Sequence, residues 1–172
     1  MRHITYPGYS YTDNPFSELL AEGSPTRPLI LANIILGTPL FAAFAVGLWT
    51  SASPKRAAHI TGAMLLGYTV TGAAAQVFFP TLPRETLEAG EGTLRNALHP
   101  PVTLASILFL LLAVAFGATL LGRRFRYYSC GTIVTLVVFG VLSVQQGSEI
   151  EANQPTPWVE LEQRINAYAF MF

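Results

Sequence analysis

Six side chains in this sequence have the types that do chemistry: Ser17, Glu18, Arg84, His99, Glu162 and Arg164. All six fall in polar segments that border apolar runs. An arginine offers a planar fork to a phosphate or carboxylate, so Arg84 and Arg164 suit a lipid headgroup or a small anionic ligand. Histidine is the side chain that ordinarily titrates near neutrality, so His99 could act as a general base, with Ser17 or water as nucleophile, or pair with a carboxylate such as Glu18. The structural alternative is a network that fastens loops, with Arg84 or Arg164 paired to Glu18. No nucleophile elbow or other local catalytic signature accompanies the set. A metal site is not expected: His3, His59 and His99 lack paired ligand spacing, and Cys130 is the single cysteine.

The elements that must position these residues are membrane spans. Of 172 residues, 51% are hydrophobic and 12% charged, about half the charged fraction usual in soluble proteins. Four uncharged runs, 28–50, 57–80, 100–121 and 127–147, can each cross about 30 Å of hydrocarbon at about 1.5 Å per residue. The fold expected is an all-α polytopic transmembrane helical bundle, a single membrane domain over 1–172. It has four complete spans, a short interfacial helix and the start of a further helix from 157. No span carries a charge at its centre, which argues against an ion-coupled transporter with a midplane site. With zero net charge, nucleic acid is not an expected partner.

Loop charges set the orientation. Lys55, Arg56, Arg123, Arg124 and Arg126 lie in the turns 51–56 and 122–126, which contain no acid, whereas all ten acids lie in the other set of segments. The positive-inside rule makes the basic turns cytoplasmic and the polar segments 1–27, 81–99 and 148–156 extracytoplasmic, in a multi-pass protein of the inner (plasma) membrane. Trp49, Tyr127 and Tyr128 would then form the inner aromatic belt, and Phe78, Phe79 and Trp158 the outer one. His59 reads as an interfacial side chain near the headgroups. No apolar stretch precedes Asn14, so no signal peptide is expected.

Local signals refine the outer segments. Asn14 as N-cap and Pro15 at the first position predict a helix of about two turns, ended by Gly23 in a left-handed conformation and by Pro25 and Pro28. Glu18 and Glu22 would then point towards water or a neighbouring loop. Thr156 and Pro157 repeat the cap signal, and Glu160 stands four residues before Arg164, the favourable order for an ion pair. Pro100 and Pro101 suit a helix start, which would place His99 at the mouth of the third span. That span, with leucine and phenylalanine through 108–112, reads as peripheral. Ala63, Gly67, Thr71 and Ala75 recur every four residues, a stripe for packing within the chain or for a homodimer seam. Gln76 and Gln145 would line a polar vestibule or hydrogen-bond across helices.

The order Asn14-Pro15-Phe16-Ser17-Glu18-Leu19 with Gly23-Ser24-Pro25, then Phe79-Pro80, His99-Pro100-Pro101-Val102-Thr103 and Glu162-Gln163-Arg164-Ile165, resembles the prokaryotic membrane family known as domain of unknown function 998. The resemblance runs from Tyr6 to Phe172. It implies six spans with the Ser-Glu-Leu loop after the first, so this chain resembles a member lacking the first span and cut in the last. The family has no agreed activity and is distantly similar to six-span proteins of lipid-anchor remodelling. The functional expectations are binding of a lipid headgroup or amphiphile at the outer interface, service as an accessory subunit of a larger membrane complex, or lipid modification as a hydrolase or transferase. Membrane lipid is the expected partner, with a membrane-protein partner or homodimer as the other option, and no cofactor is expected.

Overall fold

The computed structural model describes residues 14–51, 55–152 and 154–171. Among them the chain is all helical. A 3-10 turn, Phe16–Leu20, precedes α1 (Arg27–Trp49), α2 (Arg56–Phe78), α3 (Arg84–Glu88), α4 (Leu94–Gly117), α5 (Arg123–Gln145), α6 (Gly147–Glu151) and α7 (Val159–Met171). Three helices, α1, α4 and α5, are long and apolar enough to cross a membrane.

Packing follows from where small residues fall. α2 lies between α1 and α4 and packs along both. Ala58, Thr61, Gly62, Leu65 and Thr69 form its buried stripe, at the three- and four-residue spacing of one helical face. A Cβ at Gly62 would overlap the backbone of Trp49 and the Ala45 carbonyl, so α1 can approach this closely only because position 62 is glycine. A Cβ at Gly67 would fall 2.8 Å from the Phe109 ring, so at this point the four-residue stripe of α2 serves packing within the chain. α1 is apolar all round with only Ala45 buried, and Pro39, whose ring removes a helical N–H, lies on its exposed side.

Two sequence expectations are corrected here. α4 is not peripheral, being held by α2 on one side and α5 on the other. Its buried residues Ser106, Leu110, Ala113 and Gly117 alternate four and three apart, a packing stripe hidden within the leucine-rich run. α4 also starts at Leu94 rather than at the prolines, because the Thr93 hydroxyl accepts the Asn96 N–H at 3.2 Å as an N-cap. Pro100 and Pro101 therefore lie inside the helix, and the carbonyls of Asn96 and Ala97 have no N–H four residues on.

The two basic turns share one end of the bundle, where Lys55 Nζ donates to the Leu120 carbonyl at 2.9 Å. At the same end His59 Nδ1 donates to the Trp49 carbonyl at 2.5 Å, so its ring ties α2 to the end of α1. α7 packs against α5 and against the 3-10 turn. It begins at Val159, later than the Thr156-Pro157 signal implies, because Trp158 adopts φ +74° and interrupts the turn that would otherwise be helical.

Candidate functional site: a polar cap at one end of the bundle

The end opposite the basic turns is closed by a polar cap organised on residues 78–82, the last residue of α2 and the four that follow. A helix leaves its final carbonyls without intrahelical donors. Here the side chains of α4 supply them. Arg95 Nε donates to the Phe78 carbonyl at 2.9 Å and His99 Nδ1 to the Phe79 carbonyl at 2.6 Å. Cationic or donor groups at a helix C-terminus also suit the negative end of its dipole. Asn96 Oδ1 accepts the Leu82 N–H at 3.1 Å, so one turn of α4 makes three bonds to this stretch. His99 is 7% exposed. Because a carbonyl can only accept, its Nδ1 carries the proton in this bond.

The N-terminal segment is seated on the same stretch. Thr81 Oγ1 donates to the Ser17 carbonyl at 3.3 Å, and the Glu22 N–H donates to the Thr81 carbonyl at 3.1 Å. Ser17 thus contributes its backbone. Glu18 is 5% exposed and accepts Asn14 Nδ2 at 2.7 Å, whereas Glu22 is exposed. Asn14 is therefore bonded to a side chain, not capping a helix. The N-cap is Pro15, and the helix is a single 3-10 stretch rather than two α turns. Gly23 does adopt the left-handed conformation, φ +85°. Beyond it the chain folds back: Ser24 Oγ and Thr26 Oγ1 donate to the Leu19 carbonyl at 2.9 and 2.7 Å, and Arg27 Nη1 donates to the Leu20 carbonyl at 2.5 Å.

The third part of the cap is α7. Arg164 Nη2 lies 2.5 Å from Glu160 Oε1, and the Nε of the same guanidinium donates to that oxygen at 2.5 Å. The Glu160 side chain is fully buried, while that of Arg164 is 27% exposed. Glu162 Oε2 accepts Gln146 Nε2 at 2.9 Å and Ser143 Oγ at 3.4 Å, which ties α7 to the end of α5.

The structure therefore brings Ser17 and His99 to one backbone stretch, with Glu18 buried beside it in the seated turn. Glu162 and Arg164 stand on α7, which packs on that turn. The Arg84 side chain lies outside the described residues, although its backbone opens α3. Arg95, Asn96, Thr81 and Gln146 were not foreseen as cap residues. For the first two the signal was their spacing to His99, four and three residues, once the helix is known to start at Leu94. Gln146, next to the expected Gln145, is the one that reaches across. Among the described residues no three His, Cys, Asp or Glu side chains gather to hold a metal ion. Chemically, the cap holds three segments together, and among its described arginines Arg95 is exposed while Arg27 and Arg164 are partly so.

These features define a class: an all-helical protein with three helices of membrane-spanning length and hydropathy, closed at one end by buried polar groups. The chain belongs to the protein family of unknown function DUF998, whose model matches residues 1–172, the whole chain. No curated protein and no solved structure is significantly similar to it.

Proposed function

We propose that this is an integral membrane protein of four spans whose cap lies at the extracytoplasmic interface and binds the polar headgroup of a lipid or related amphiphile. α2 is the fourth span. It has 23 residues, as α1 and α5 do, and its lower hydropathy comes from the glycine, alanine and threonine that allow it to sit between two neighbours. The sidedness rests on the charge split, since Arg56, Arg123, Arg124 and Arg126 are all exposed at one end and no acid lies in either turn.

The observation that carries the binding reading is the Glu160–Arg164 pair. A fully buried carboxylate holds the guanidinium of an arginine whose side chain is still 27% exposed. An arginine oriented in this way brings its charge to a phosphate or carboxylate without having to be ordered first. Arg164→Lys keeps the charge and loses the planar fork. Titration of the purified full chain with phospholipid, read by native mass spectrometry, should show retention of headgroup-bearing lipid falling roughly tenfold for this variant. Equal retention by wild type and variant would remove the reading. For sidedness, in a Cys130→Ser background, an impermeant thiol reagent on intact cells should label Glu149→Cys and not Arg124→Cys.

A further inference from the structure

The opposite end of the molecule contains an apolar cleft of about 450 Å3, within the roughly 300–1,000 Å3 of ligand pockets. α1, α2, α4, α5 and α7 all contribute to it, through Leu48, Leu65, Ala113, Leu120, Phe125 and Ala169 among others. One lining residue is out of character. Thr61 is 6% exposed, and its Oγ1 has no hydrogen-bond partner. A buried hydroxyl without a partner is costly, by about 1–3 kcal/mol in protein mutational data, and a helical threonine usually avoids this by bonding the carbonyl four residues back. Thr69 and Thr71 on the same helix do so, at 2.7 Å each. Thr61 does not.

The position of Thr61 and the charge around the mouth identify the occupant. Thr61 is five residues into α2, about 7.5 Å below the Arg56 turn at 1.5 Å per residue. Leu120 and Leu121 of the cleft precede the 122–126 segment and Phe125 lies within it, and there Arg123, Arg124 and Arg126 are all exposed. α5 starts there with no side-chain cap on its N-terminus, so its free N–H groups add to the positive field. We infer that the cleft holds an acyl chain of an anionic phospholipid, whose ester carbonyl accepts the Thr61 hydroxyl and whose phosphate lies among the arginines of the α5 N-terminus. This site is at the other end of the bundle from the cap and does not depend on the headgroup reading above. An ester carbonyl lies one glycerol unit below its phosphate, the depth at which the unpartnered hydroxyl is found.

The test is titration of the full-length chain in mild detergent with phosphatidylglycerol and, separately, phosphatidylcholine, counted as lipid adducts by native mass spectrometry. Phosphatidylglycerol should bind at least about tenfold tighter at low salt, and the margin should shrink as salt screens the arginines. Thr61→Val, which keeps the shape and removes the donor, should weaken phosphatidylglycerol binding roughly two- to tenfold. Arg123→Gln with Arg124→Gln should abolish the preference between the lipids. Equal binding of the two lipids by the wild-type chain overturns the proposal without recourse to any variant. So does displacement of phosphatidylglycerol by millimolar inorganic phosphate, which would mean a free-anion site with no acyl chain.

Discussion

The two ends of this bundle solve the same problem by different means. At the cap end, backbone groups freed at the end of α2 are taken up by side chains of α4, and a buried carboxylate is paired within α7. At the basic end the arginines stay outside, Lys55 and His59 each bond one backbone carbonyl, and α1 comes close to α2 because its backbone rests on Gly62. Buried polar bonds are directional and fix a unique arrangement, whereas close packing of small residues fixes only distance. The cap is therefore where sequence changes should be felt as lost interactions, and the basic end where they should be felt as lost space.

Removing one partner of the buried ion pair is the most severe way to break this contrast. Arg164→Ala leaves Glu160 buried without that cation and should cost about 3–5 kcal/mol, read as a lower thermal midpoint in detergent. Next is Gly62→Val, in which the new side chain meets backbone that cannot rotate away. It should cost about 3 kcal/mol, the upper range of overpacking, and should separate α1 from α2 without exposing the cap to protease. His99→Ala strips the donor from the Phe79 carbonyl and should cost about 1–3 kcal/mol, with faster amide exchange across 79–82 as its mark. The smallest effect is expected for Gly23→Ala. Open space surrounds the site, so the cost is the left-handed backbone alone, about 1–2 kcal/mol, seen as quicker tryptic cleavage at Arg27. If the cap variants and Gly62→Val gave the same pattern of exposure, the distinction between the two ends would fall.

The long helices were legible because their apolar runs have no other soluble explanation, and the Glu160–Arg164 pair because four-residue spacing is a local rule. What the sequence concealed was where helices begin. Pro100-Pro101 and Thr156-Pro157 both have the form of a helix start, yet a threonine cap seven residues before Pro100 decides the first case and a positive φ at Trp158 the second. The cap's side-chain bonds to backbone were not legible either. They depend on the register of α4 against α2, which no periodicity within one helix reveals. Glu18 and Glu22 show the limit most clearly: two identical side chains four apart, of which only one is buried, because the helix between them stops at Leu20.

The bonds that organise the cap also set an order of assembly. Those joining α4 to the end of α2 span 14 to 20 residues, whereas Thr81 reaches Ser17 across 64. Short closures are made first because they cost less chain entropy. At a synthesis rate of about 5–20 residues per second, the Ser17 segment waits about 3–13 s before its acceptor stretch exists. The earliest part of the cap to be made thus waits for the stretch after α2, and α7, made later still, can only close over it.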